Sequence, residues 1–169
     1  MAKVVNVVGC GSNVGKTMLM EGLIKELKSR GYSIATIKHD VHDFDIDKKG
    51  KDTYRHRKAG SETVIISSKN RFAMIEEVTE EKELNNLLKM VENKDVVLVE
   101  GYKNSNLRKI EVYRDGFSKN IISDKKNIIA VASDVKLDIT EVKVVNNKDY
   151  KVLCDLIEKE EKYNMENYQ

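Results

Sequence analysis

Apolar residues recur along this chain with two different periods. Residues 4–8, Val-Val-Asn-Val-Val, form a short run that breaks into glycines, whereas Leu19, Met20, Leu23, Ile24 and Leu27 return at helical spacing. The run predicts a buried strand. The spaced set predicts an amphipathic helix with Lys25, Glu26, Lys28 and Arg30 on its other face, ending at Gly31. Residues 33–38 read as a second strand, so a β-loop-α-β unit closes early, and a parallel right-handed crossover is expected.

Further along, residues 53–59 suit a short basic helix closed by Gly60, and residues 63–67 and 72–75 suit a hairpin turning at 68–71. Thr79 is placed to cap a helix with Glu80 and Glu81 in its first turn and Leu84, Leu87, Leu88 and Val91 as its inner stripe. Residues 96–99 make a fully apolar strand that ends in Glu100-Gly101. Residues 109–114 alternate like a strand and turn at Asp115-Gly116. Residues 127–132 form another buried strand ending at Ser133-Asp134, and 142–145 a last short one. Val152, Leu153, Leu156 and Ile157 mark a closing helix, after which residues 158–169 alternate charge and are expected to be a mobile tail.

Composition narrows the class. A chain of 169 residues suits one domain, here 1–157, and a net charge of +2 with few aromatic residues argues for neither a nucleic-acid nor a membrane partner. No apolar run approaches the roughly 18 residues of a membrane span. Two cysteines, Cys10 and Cys154, are too few for a disulfide framework and lack metal-type spacing, which fits a reducing cytoplasmic setting. Proline is absent and no Gly/Ser-rich linker divides the chain.

The chemistry concentrates between the first strand and the first helix. Gly9-Cys10-Gly11-Ser12-Asn13-Val14-Gly15-Lys16-Thr17 reads as a phosphate-binding loop of the form Gly-x5-Gly-Lys-Thr, one residue longer than the common spacing. Backbone N–H groups of Gly11, Ser12, Asn13, Val14 and Gly15 would wrap phosphates, helped by the positive end of the helix. Lys16 would reach the β- and γ-phosphates, and Thr17 would offer its hydroxyl to Mg²⁺. Glu100 closes a buried strand where such proteins hold the magnesium ion, so Lys16 and Glu100 are the candidate catalytic pair. The plain alternatives are a glycine-rich turn that binds nothing and a strand-terminal surface acid. These elements together predict an α/β, three-layer P-loop NTPase-like fold with a mostly parallel sheet and an added β-hairpin.

Residues 39–52 are dense in His and Asp and mark a functional loop. Asp43, Asp45 and Asp47 alternate as in a calcium loop, but Gly50 lies two positions too late, so calcium is rejected. The common guanine motif Asn-Lys-x-Asp is missing, since Asn147-Lys148-Asp149 lacks its spacer. Asp134, beyond a sheet strand, is the candidate to accept from both N1–H and the 2-amino group of guanine, with capping of a turn as the alternative.

The longer loop and Glu100-Gly101 resemble dethiobiotin-synthetase-like P-loop proteins. Three stretches together resemble the MobB family of molybdopterin-guanine dinucleotide biosynthesis accessory proteins. They are the phosphate loop; the segment with Lys38-His39, His42, Asp47, Gly50-Lys51-Asp52, Arg55 and Ala59-Gly60; and residues 98–103 with Lys109-Ile110 and Arg114-Asp115-Gly116. Residues 130–134 also fit. The resemblance implies a GTP-binding homodimer that assists the enzyme joining GMP to molybdopterin and is itself at most a slow GTPase. It implies that Glu100, with one of the carboxylates of residues 40–52, Asp47 foremost, supports Mg²⁺. His39, His42, Lys51, Arg55 and Lys103 would face the nucleotide, the partner subunit or a molybdopterin phosphate. The competing reading is an ATP-dependent ligase or kinase resembling dethiobiotin synthetase.

Overall fold

A computed structural model describes residues 1–40 and 44–164. In chain order the first elements are β1 (Lys3–Gly9), α1 (Lys16–Ser29), β2 (Ile34–Lys38), α2 (Asp52–Lys58), β3 (Thr63–Ser68) and β4 (Arg71–Glu76). They are followed by α3 (Leu84–Met90), β5 (Val96–Glu100), β6 (Lys109–Tyr113), β7 (Ile128–Ser133), β8 (Val144–Asn146) and α4 (Tyr150–Lys159). The chain forms two compact units, Met1–His39 with Leu87–Gln169, and Asp40–Asn86.

The first unit is built on a six-stranded parallel sheet in the order β2-β5-β1-β6-β7-β8. The α/β class with a parallel sheet and a separate hairpin is therefore the one expected. Because side chains alternate across a strand, Val5 and Val7, Val96 and Leu98, and Ile110 and Val112 share one face. Leu19, Leu23 and Leu27 of α1 and Leu153 and Ile157 of α4 bury that face. On the opposite face Leu88 of α3 lines a small cavity with Ala2, Val4 and Val97.

That opposite face holds a departure from the sequence pattern. Lys109 and Glu111 alternate with Ile110 and Val112, which suggests a wet face, yet both are buried. Lys109 donates from its ammonium to the carbonyls of Ser105 and Leu107, and Glu111 accepts from the N–H groups of Ile122 and Ser123 at 2.8 and 2.9 Å. A buried charge needs such partners. Burial pulls the Lys109 ammonium below the usual lysine value, with Asp124 and Glu111 opposing.

Other boundaries moved for identifiable reasons. The helix expected from Thr79 begins only at Leu84. Residues 79–83 have no apolar side chain to bury, and Lys82 pairs with Glu76 at 2.9 Å, so propensity lacks the packing that stabilises a helix. The final helix starts where its cap places it, with Asp149 accepting from Val152 N–H at 3.2 Å. The end of the chain, expected to be a free tail from 158, is tied down as far as Tyr163. Tyr163 N–H donates to Ala2 O at 2.8 Å, Lys3 to Glu158 O at 2.8 Å, and Arg108 pairs with Glu160 at 2.8 Å.

The second unit contains α2 and the antiparallel pair β3–β4, with Ile65 opposite Met74 and Ser67 opposite Phe72. Among its described residues only Val64 is a buried apolar residue.

Candidate functional site

The phosphate loop is anchored by an apolar residue inside the motif. A side chain added at Gly9 would place its Cβ 2.7 Å from Val14 Cγ2 and 3.3 Å from Val112 O, so only glycine lets the loop fold back over the end of β1. Val14, 2% exposed, fills that place and joins the core cluster. Asn13 (φ 66°) and Gly15 (φ 102°) adopt left-handed backbone, and Gly15 stands at the N-terminus of α1. No acidic residue occupies the first turn of this 14-residue helix, and no side chain caps it. Its partial positive charge is thus not met by a carboxylate of its own first turn. Lys16 lays its ammonium on Gly11 O at 2.5 Å, and Thr17 is exposed in the first turn.

Glu100 ends β5 between the two neighbouring strands, in register with Val7 of β1 and Lys38 of β2. This puts its carboxylate at the carboxyl edge of the sheet, beside the loop. Burial lowers the Lys16 ammonium from the usual lysine value; Glu100 opposes that shift and Lys103 adds to it. Lys103 Nζ also lies 3.5 Å from Cys10 O. Lys16, Glu100 and Lys103 therefore belong to one electrostatic site.

The backbone after Glu100 is unusual. Gly101 has φ 97°, and a Cβ there would meet His39 Cβ at 2.8 Å; Tyr102 follows with φ 44°. His39 donates its N–H to Glu100 O at 2.8 Å, and its ring lies 4.5 Å from that of Tyr102. Across the loop, Asp134 at the end of β7 accepts Asp115 N–H on Oδ1 at 3.0 Å, the turn-capping role weighed for it above.

Residues 4–134 match the family model MobB, molybdopterin guanine dinucleotide synthesis protein B. The chain belongs to the MobB family. It is 39% identical over 155 residues to a molybdopterin-guanine dinucleotide biosynthesis adapter protein of Escherichia coli (strain K12), covering 86% of both chains. It is 36% identical over 130 residues to the adapter protein of Haemophilus influenzae, covering 76% of this chain and 73% of that one. A solved structure of molybdopterin-guanine biosynthesis protein B superposes with a TM-score of 0.69 at 22% identity, covering 91% of this chain and 97% of the other. A structure of Bacillus subtilis MobB superposes with a TM-score of 0.68 at 19% identity, covering 94% and 99%. Those two likenesses show a shared fold.

Within this MobB-family chain the structure brings Gly11, Ser12, Asn13, Val14, Gly15, Lys16, Thr17, His39, Glu100, Lys103 and Asp134 into the first unit. Asp47, Lys51 and Arg55 belong to the second, and His42 lies outside the described residues. Asp47 Oδ1 accepts from Lys48 N–H at 2.9 Å and from Thr53 Oγ1 at 2.8 Å, and its Oδ2 lies 3.5 Å from Arg57 Nη1. Its oxygens thus organise the start of α2. Among the described residues no three His, Cys, Asp or Glu side chains gather as a metal cage. The donor set that Thr17 and Glu100 offer suits Mg²⁺ held largely by phosphate and water oxygens.

Two residues without an expected role also support the site. Asn6, fully buried in β1, donates to Tyr102 O at 3.2 Å and to Ser105 Oγ at 3.3 Å, supporting the turn that follows Glu100. Arg114 donates to Asn13 O at 2.9 Å. Asn6 signals itself only as a polar residue in an apolar strand, whereas Arg114 lies in the Arg114-Asp115-Gly116 stretch that carries the resemblance, with nothing local to tie it to the phosphate loop.

Proposed function

We propose that this chain is a GTP-binding adapter in molybdopterin-guanine dinucleotide biosynthesis that assists the GMP-transferring enzyme and hydrolyses GTP slowly at most. The observation that carries the reading is the loop between β1 and α1, with two left-handed residues before a helix start, Lys16 beside it and Glu100 on the neighbouring strand. N–H groups of residues 11–17 hold the phosphates, and Lys16 neutralises the terminal ones. Thr17 and Glu100 hold Mg²⁺, whereas the Asp47 oxygens are engaged with Lys48, Thr53 and Arg57 in the second unit. The ion draws charge from the phosphate oxygens when bound. Asp134 Oδ1 already takes one N–H, and a carboxylate has lone pairs left for guanine donors.

Phosphoryl transfer needs a group that orients water and a further cation on the developing charge. In the first unit His39, with its ring against Tyr102, and Lys103 are the candidates for those two roles. His42, Lys51 and Arg55 serve the nucleotide, a partner subunit or a molybdopterin phosphate.

The adapter is a homodimer in this reading. Ile65, Phe72 and Met74 share one face of the hairpin and are exposed, and the pair has no third strand among the described residues. A two-stranded sheet with open edges is marginal alone and gains by pairing. No described helix is long and apolar enough to cross a membrane.

Purified protein mixed with the GMP-transferring enzyme provides the test. The reading expects complex formation and at most slow phosphate release from GTP. Rapid, substrate-dependent turnover of ATP would instead establish the ligase or kinase, the alternative favoured by loop length and Glu100-Gly101.

A further inference from the structure

We infer that Arg114 is a positioning residue of the phosphate loop, orienting the Asn13–Val14 peptide so that the Val14 N–H faces a bound phosphate. The inference rests on the GTP-binding reading and adds to it a residue from a different strand. Arg114 follows the carboxyl end of β6, and its Nη1 donates to Asn13 O at 2.9 Å. In a trans peptide the carbonyl and the next N–H point in opposite directions. Holding Asn13 O toward the guanidinium therefore sends the Val14 N–H to the other side of the loop. Asparagine is among the non-glycine residues that tolerate φ 66°, so the bond serves to fix the direction of the Asn13 carbonyl within a conformation the residue already accepts.

The guanidinium is itself held. Its Cζ lies 4.5 Å from the centroid of the Phe117 ring, a cation–π contact that keeps the planar group from swinging freely. Arg114 N–H donates to Ser118 Oγ at 3.1 Å, and Ser118 is buried. Cys10 Sγ, inside the phosphate loop, lies 3.4 Å from Ser118 Oγ and 3.5 Å from Phe117 O. On its far side the same turn is fastened to β7 by the bond from Asp115 N–H to Asp134 Oδ1. The turn of residues 114–118 thus bridges the phosphate loop and the proposed guanine carboxylate. Arginine meets a neutral carbonyl in this contact, so its charge also favours an anion nearby.

The test uses the full-length chain as wild type, Arg114→Ala and Arg114→Lys, titrated with GTP and with GDP in Mg²⁺. The Val14 amide resonance is followed in labelled protein, and the thermal midpoint is measured without nucleotide. Arg114→Ala is expected to weaken both nucleotides about tenfold while leaving the midpoint unchanged, since it removes one charge-assisted bond at an exposed site. The nucleotide-induced shift of the Val14 amide should shrink with it, and Arg114→Lys should restore part of both. Should Arg114→Ala fail to fold, Arg114→Gln keeps a stem over Phe117 and carries the same comparison. Wild-type GTP binding together with unchanged affinity and an unchanged Val14 shift in the variants overturns this inference alone. A wild type that binds no guanine nucleotide overturns the functional reading and this inference together.

Discussion

The two units of this chain solve burial differently. In the first, α1 and α4 cover a parallel sheet whose inward residues are excluded from water. In the second, Val64 is the buried apolar residue among those described, while Phe44, Ile46, Ile65, Ile66, Phe72 and Met74 are exposed. An apolar side chain that stays wet forgoes most of the ~1.5–3 kcal/mol its burial would contribute. The first unit therefore buries the apolar side chains that stabilise it, whereas the second leaves most of its described apolar side chains exposed. The site chemistry follows the same division, since the phosphate loop, Glu100 and Lys103 all belong to the first unit.

Core truncation is the strongest way to probe this contrast. Leu23→Ala, at a fully buried position under the sheet, should lower unfolding free energy by roughly 2–5 kcal/mol. Phe72→Ser and Ile65→Ser, both exposed, should change it by no more than about 0.5 kcal/mol in a monomer. If the hairpin face is a dimer contact, those two changes should shift the mass seen by light scattering toward one chain. Equal destabilisation at Leu23 and Phe72, with no change of mass, would erase the distinction.

Much of the first unit was legible because its signals are local. A loop of small residues before Gly-Lys-Thr, a helical stripe of leucines and a run of valines ending in Glu100 each depend on neighbours in sequence. The hairpin too was visible, its turn lying between strands that the structure extends to Ser68 and Arg71. What stayed hidden depends on contacts that no local pattern shows. Lys109 and Glu111 imitate a solvent face because their partners are backbone groups of the flanking loops, the carbonyls of Ser105 and Leu107 just before β6 and the N–H groups of Ile122 and Ser123 after it, which no side-chain pattern announces. Arg114 lies in a stretch that carries the resemblance, but its link to the phosphate loop is hidden until the fold sets it against Asn13, about a hundred positions earlier. The helix start at Thr79 failed for the opposite reason, a local signal with nothing to pack against.

A smaller effect separates the units by acid response. In the first, the Ser33 hydroxyl and N–H hold the Asp95 carboxyl below its usual range. In the second, the Asp47 N–H and then Arg57 do the same for Asp45, against a desolvation that opposes them. A carboxylate with a depressed folded value stabilises fully above its ordinary value and loses that contribution as pH falls through the depressed one. Asp95→Asn and Asp45→Asn should therefore lower the thermal midpoint slightly near neutral pH, and by less as pH falls through the depressed values and the wild-type carboxyls take up protons. A deficit that grows on acidification would contradict the assigned bonds. Asp95→Asn should act on the transition of the sheet, and Asp45→Asn should leave that transition in place.

The central claim, that the loop between β1 and α1 is a guanine-nucleotide site, is tested most directly by equilibrium dialysis of wild type and Lys16→Ala against GTP and ATP in Mg²⁺. Lys16 is half-buried at the start of α1 and contributes no core volume, so its removal should leave the fold intact. The account predicts that the wild type binds GTP in preference to ATP and that Lys16→Ala binds neither measurably. GTP affinity that is the same in the two proteins would contradict it.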